Sequence, residues 1–282
     1  MTPETLLRLC SFTYFDLPEI YCRRLARGEK VPLREAARAL ERMRALGALS
    51  CGAYLERAQE TLCALANAPL RILAYENDNA DTGFVAYAFE APDGEVAVSV
   101  RGSETRGACV PTNVDWRDNF CAPMTGSVQY ARAVAFVNRW ERGSMIVTGH
   151  SKGGNVALYA QSAADNPLAR AAVFNAQGFS KAMLSVEQRR RMRAGAVNYV
   201  VAGDVIGALL YHPERRAFVR GRPGANAHSP DAFVFNAQGF PIPARRPALS
   251  FVVEALSRAL VMLERLGVAD LSRRLLRCPP ST

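Results

Sequence analysis

Apolar and polar positions along the chain change rhythm three times. Residues 33–46 and 53–65 carry apolar side chains at helical spacing, with arginine and glutamate between them. The first 70 residues therefore read as helices. Pro32 suits the first position of a helix, and Gly47 follows the last turn of the same one. Residues 83–89 and 95–100 are strand-like. Pro92-Asp93-Gly94 between them is turn chemistry, so the pair predicts a β-hairpin. Beyond it, short apolar runs alternate with helical patterns. Strands are expected over 145–148, 171–174, 197–202 and 217–220, and helices over 128–140, 155–164 and 185–193. Ser185 and Gln188 have the spacing of a capping box. Residues 101–120 look irregular, and a long amphipathic helix is expected from 249 to 276.

Strands alternating with helices predict a mostly parallel central sheet flanked by helices. No Gly/Ser linker or composition break divides the chain. The expectation is one domain over residues 1–282: a helical extension over 1–70, a core over 71–240 and a helical segment over 241–282. The heptapeptide at 173–179 recurs at 234–240, both reading Val-Phe-Asn-Ala-Gln-Gly-Phe. There is no third copy, so this is not a repeat architecture. Each copy is expected to be a strand end followed by a glycine turn.

The 282 residues and 49% hydrophobic content suffice for a well-buried core. The net charge of +9 rests on arginine, since only Lys30, Lys152 and Lys181 are lysines. The arginines are spread along the chain and are not interleaved with an aromatic stripe. Nucleic acid is therefore not expected as a partner, whereas weak association with an anionic membrane stays open. Seven scattered cysteines without Cys-x-x-Cys spacing give no metal site and suggest reduced thiols. No basic and apolar leader pattern follows Met1, and no apolar run is long enough to span a bilayer. The expected setting is cytoplasmic. Neither cofactor nor metal is expected, and the oligomeric state is not legible.

The candidate chemistry lies at Gly149-His150-Ser151-Lys152-Gly153, which fits Gly-x-Ser-x-Gly. Small residues are required there because a nucleophile on a tight strand-to-helix turn leaves no room for neighbouring side chains. So short a pattern arises by chance in roughly one chain in ten of this length. Its weight comes from the apolar strand before it and the helix after it. Ser151 is the expected nucleophile. Of the three histidines, His150 is expected to point away at such a turn. His228, in a loop-like stretch, is favoured over His212 as the base. Asp204 ends a strand-like run and is the expected acid, with Asp231 the next carboxylate to consider; a plain turn aspartate is the alternative for Asp204. The oxyanion donors are expected to be the backbone N–H groups of Lys152 and Ser103.

At these residues the chain resembles the lipase class 3 group of α/β-hydrolases, and is most similar to a bacterial branch of it, the Mbeg-like proteins. Four segments carry the resemblance: 98–103 ending in Arg101-Gly102-Ser103, Asp115-Trp116-Arg117-Asp118-Asn119, Gly149-His150-Ser151-Lys152-Gly153-Gly154, and Gly203-Asp204-Val205-Ile206. The resemblance covers roughly residues 70–240. It implies an α/β-hydrolase fold, a Ser-Asp-His triad, no cofactor, and esters of lipids or small acyl groups as substrates. An acyltransferase using the same triad, or a non-catalytic binding protein on this fold, are the alternatives. Lipases of this group often carry leucine where Lys152 stands, so a charged side chain is expected beside the nucleophile, with an ammonium turned outward to solvent as the alternative. The polar character of residues 104–113 points to short or medium acyl esters.

Overall fold

The computed structural model describes residues 1–49, 51, 56–104, 126–140 and 143–266. Among them runs one eight-stranded sheet whose spatial order follows the chain. Its strands are Val31–Pro32 (β1), Arg71–Asp78 (β2), Phe84–Glu90 (β3), Val96–Val100 (β4), Met145–His150 (β5), Ala169–Phe174 (β6), Ala196–Val201 (β7) and Arg215–Val219 (β8). The pairs from β1 to β4 are antiparallel and those from β4 to β8 are parallel. A mostly parallel sheet flanked by helices, the α/β-hydrolase architecture, is the result.

The alternation of side chains along the strands sorts the core into two layers. In β3, Tyr87 and Phe89 face one layer while Phe84, Ala86 and Ala88 face the other. Of the first four helices, Pro3–Phe12 (α1), Glu19–Ala26 (α2), Leu33–Ala45 (α3) and Ala58–Leu65 (α4), the first layer is filled by α1, α3 and α4. Helices Gln129–Val137 and Lys152–Ala163 fill the second. Helices α1, α3 and α4 are thus part of the core. Phe12 is fully buried, edge-on to Tyr87 and Phe89 at centroid distances of 5.3 and 5.9 Å.

The expected hairpin is present as β3 and β4, and the capping box is formed: Gln188 N donates to Ser185 Oγ at 3.1 Å and Ser185 N to Gln188 Oε1 at 3.0 Å. Gly47 follows α3 with φ +69°, where a Cβ would be strained. Pro32 stands one place earlier than expected, at the N-cap, because it pairs with Arg71 in β1. Neither β1 nor β2 was expected. In β2 a bulge between Ile72 and Ala74 shifts the register and breaks the alternation that marks a strand in sequence. The C-terminal helix is described from Ala248 to Arg265; the expected continuation to 276 lies outside the described residues, as do 53–55 of the second expected helix.

Candidate active site

Strand β5 runs into the helix Lys152–Ala163 through Ser151, with no loop between them. Ser151 has φ +58°, an unfavourable conformation for a residue with a Cβ. The flanking glycines are needed for space. A Cβ on Gly149 would meet the backbone of Gly153, one on Gly153 the backbone of Val100 and Arg101, and one on Gly154 the Cβ of Ala176 at 2.6 Å. The backbone around the serine is held in turn, since Ser151 N donates to Phe174 O at 3.0 Å. Asn155, buried in the first turn of the helix, donates to the carbonyls of Gln177 and Gly178 and accepts from Tyr130 Oη at 2.6 Å.

The structure brings Ser151, His228 and Asp204 together from three separate segments. His228 Nε2 lies 2.8 Å from Ser151 Oγ, and His228 Nδ1 lies 2.9 Å from Asp204 Oδ1. Asp204 follows β7, after Gly203 at φ +102°, and its side chain is 1% exposed. Its carboxylate also accepts from Gly207 N at 2.7 Å and Ile206 N at 3.3 Å. Three donors aimed at one buried carboxylate fix its orientation. His228 is 29% exposed at its side chain, so the serine–imidazole pair is open to a ligand.

Two side chains clamp the backbone of the His228 loop. His150 Nε2 donates to His228 O at 2.7 Å, and Asn175 Nδ2 donates to Ala227 O at 2.9 Å. Asn175 also accepts from Val201 N at 2.9 Å, at the end of the strand that leads to Asp204. His150, expected to point away at the turn and passed over as the base, holds the His228 loop. Burial, and then the nearby charge of His228, push the His150 imidazolium down to about 3, against the pull of its own hydrogen bond. A neutral His150 with its proton on Nε2 is the form that can donate to the carbonyl. Asn175 was also missed; its φ of +46° in an asparagine is the local sign of an unusual backbone.

His212 is elsewhere. Its Nδ1 faces Glu214 Oε1 at 2.7 Å and its Nε2 faces Leu209 O at 2.9 Å, in a fully buried pair. Burial works to raise the Glu214 carboxyl, but the charge and hydrogen bond of His212 take it below the usual carboxylate range. Asp231 Oδ2 accepts from Arg57 N at 3.3 Å, and burial raises its carboxyl.

Ser103 lies at the exit of β4 and is nearly buried. A Cβ on the preceding Gly102 would meet the Tyr14 hydroxyl and His150 O, so this exit is pressed against the nucleophile strand. The buried Arg101 anchors it through an ion pair with the partly exposed Glu104 at 3.0 Å. Lys152 begins the helix directly after Ser151, and its side chain does not turn outward to solvent. The residue is 1% exposed. Residues 105–113, on which the acyl-length expectation rests, and 115–119 lie outside the described residues. Among the described residues no cluster of histidine, cysteine or carboxylate groups could hold a metal.

The repeated heptapeptide adopts two structures. At 173–179 it ends β6, with Asn175 bonded to distant backbone and Gly178 against Tyr211 O and Leu209 O. At 234–240, Asn236 Oδ1 instead accepts from Gln238 N and Phe240 N, both at 3.0 Å, closing a local turn with Gly239 at φ +75°.

A family model described as Mbeg1-like matches residues 68–242. No curated protein matches the chain. Among solved structures, the chain is similar to a mutant form of MDLA from Penicillium cyclopium, with 13% identity and a TM-score of 0.48 over 85% of this chain and 90% of the other. It is also similar to a mono- and diacylglycerol lipase from Aspergillus oryzae, with 12% identity and a TM-score of 0.43 over 88% and 92% of the two chains. A lipase–propeptide complex from Rhizomucor miehei gives 13% identity and a TM-score of 0.41 over 73% and 70%.

Proposed function

The chain belongs to the Mbeg1-like family, and from that premise we propose that it is a serine hydrolase of carboxylic esters. The observation that carries the reading is the hydrogen-bonded chain Ser151 Oγ, His228 Nε2, His228 Nδ1, Asp204 Oδ1, with distances of 2.8 and 2.9 Å. Such a series gives a hydroxyl a base and gives the base a fixed tautomer.

Ser151 Oγ attacks the ester carbonyl carbon while His228 Nε2 takes its proton. The carbonyl π electrons move to oxygen, and the resulting oxyanion is met by the backbone N–H groups of Lys152 and Ser103. The positive end of the helix Lys152–Ala163 adds to that stabilisation. The tetrahedral species collapses, the C–O bond to the leaving group breaks, and His228 returns the proton to the departing alkoxide as an alcohol. Water, deprotonated by His228, then attacks the acyl-enzyme, and Ser151 leaves with the proton. Asp204 accepts from Nδ1–H and orients the imidazole. His150 and Asn175 act only through His228, as positioning residues.

A fluorophosphonate probe tests the reading. The wild-type protein is expected to label at Ser151, and Ser151→Ala is expected not to. Equal labelling of both, or no turnover of any p-nitrophenyl ester by a labelled protein, would sink it.

A further inference from the structure

A cavity of about 460 Å³ lies between the helix Ala248–Arg265 and the segments that follow β6 and the turn Ile206–Ala208. None of the residues that line it belongs to the proposed triad. Its floor is preformed. Phe179 N donates to Tyr211 O at 2.8 Å and Tyr211 N to Phe179 O at 3.1 Å, so the two segments are tied together beneath the cavity. On the helix side, Arg258, Val261, Met262 and Arg265 recur at the spacing that keeps side chains on one face.

The charge around this cavity is of one sign. Every charged side chain described there is a cation: Lys181, Arg189, Arg258 and Arg265. Among the described residues only Arg258 has a carboxylate at ion-pair distance, Glu254 at 3.3 Å, and Glu254 is shared with Arg216 and Arg246. Arg189 donates from Nη1 to the carbonyls of Leu184 at 2.6 Å and Lys181 at 3.3 Å, which fixes the guanidinium without neutralising it. Lys181 Nζ and the Arg258 guanidinium carbon stand 5.8 and 5.7 Å from the centroid of the Tyr211 ring. A ring face attracts cations but leaves their charge in place. Four like charges around one cleft repel one another, and an oxyanion among them turns that repulsion into charge-assisted hydrogen bonds.

The walls define the rest of the ligand. Phe179 and Leu210 are 1% and 5% exposed, and Val261 and Met262 face them from the helix. The side chains around the cavity include no carboxylate and no amide; the hydroxyls of Ser180 and Tyr211 are their hydrogen-bond acceptors. A sugar, a nucleobase or an amine would bring donors that these walls leave unmet. A hydrocarbon tail requires no such partner.

We infer that this cavity binds an amphiphilic oxyanion, a carboxylate or phosphate head on a hydrocarbon tail, with the head among Lys181, Arg189 and Arg265 and the tail against Phe179, Leu210 and Met262. The site stands apart from the proposed hydrolysis and is read by binding alone.

The test is titration calorimetry on the Ser151→Ala protein, in which no acyl-enzyme forms. Decanoate, decyl phosphate and decanol are each added below the concentration at which they self-associate, and acetate and inorganic phosphate serve as heads without tails. Saturable binding is expected for decanoate or decyl phosphate, and the tighter of the two identifies the head. Decanol is expected to bind at least about tenfold more weakly for want of charge, and the tail-less anions at least about tenfold more weakly for want of apolar contact. Lys181→Gln with Arg265→Gln is expected to weaken binding by about tenfold, and Met262→Glu, which sets a carboxylate against the incoming head, by at least as much. All three side chains are exposed, so unfolding of the unliganded variants should match the parent. None of the three is a triad residue, so the loss in these variants places the ligand in this cavity rather than beside Ser151. Absence of binding by both anionic amphiphiles, decanol as tight as they are, tail-less anions as tight as they are, or undiminished binding in either variant would each overturn the inference.

Discussion

The imidazole of His150 donates from Nε2 to the backbone carbonyl of His228, 2.7 Å away, while the ring of His228 faces Ser151. The residue before the candidate nucleophile therefore holds the residue that would activate it. Sequence separation between the two histidines is 78 positions, and the contact exists only because β5 and the loop after β8 end on the same side of the sheet.

This contact has a pH signature. The imidazolium of His150 ordinarily forms near 6.5, and in the folded chain only at about 3. Between those values the unfolded chain binds a proton that the folded chain refuses, so stability is lost as pH falls through that window. The cost at low pH is on the order of 4 kcal/mol. His150→Gln keeps a donor and removes the titration. Urea unfolding from pH 7 to pH 3 is expected to show the wild type losing more stability than the variant. Parallel curves would rule out a buried neutral imidazole.

His228 and His212 are expected to separate cleanly under substitution. His228→Ala should lose several orders of magnitude in kcat with folding retained. His212→Ala should keep its activity per folded molecule but unfold earlier. It leaves the Glu214 carboxylate buried without its partner, at a cost of about 3–5 kcal/mol. Ester turnover and denaturant titration on both variants check this. The opposite pattern would move the base to His212.

Asp204→Asn places an amide where three donors converge, two from backbone and one from His228. The amide nitrogen must face a donor or stabilise the wrong imidazole tautomer. A fall of about 10⁴-fold in kcat is expected, with a near-normal melting curve. A fully active variant would exclude Asp204 as the acid.

Phe12→Ala is expected to destabilise the whole chain by about 3–5 kcal/mol, because the ring is fully buried against Tyr87 and Phe89. The denaturation midpoint should shift with an unchanged slope. A local loss of structure confined to the first helices, with the rest unaffected, would show that α1 is not part of the core.

Local chemistry determined much of this protein by itself. The glycines around Ser151, the Ser185–Gln188 capping box and the β3–β4 hairpin follow from steric and hydrogen-bonding rules that act within a few residues. Chain order and loop-like surroundings picked out His228 and Asp204 as candidates, and the fold brings the two side chains within hydrogen-bond distance. What lay beyond reach depends on groups far apart in the chain. β2 was hidden by its bulge between Ile72 and Ala74. The burial of Lys152 depends on how the helix joint is enclosed, which no helical pattern encodes. The two identical heptapeptides make the point most directly. Asn175 is fully buried just past the end of β6 and satisfies its amide on Val201 and Ala227. Asn236 lies at the surface and bonds within its own turn. A buried polar group must take whatever partner the tertiary structure brings to it, and an exposed one is free to take the nearest.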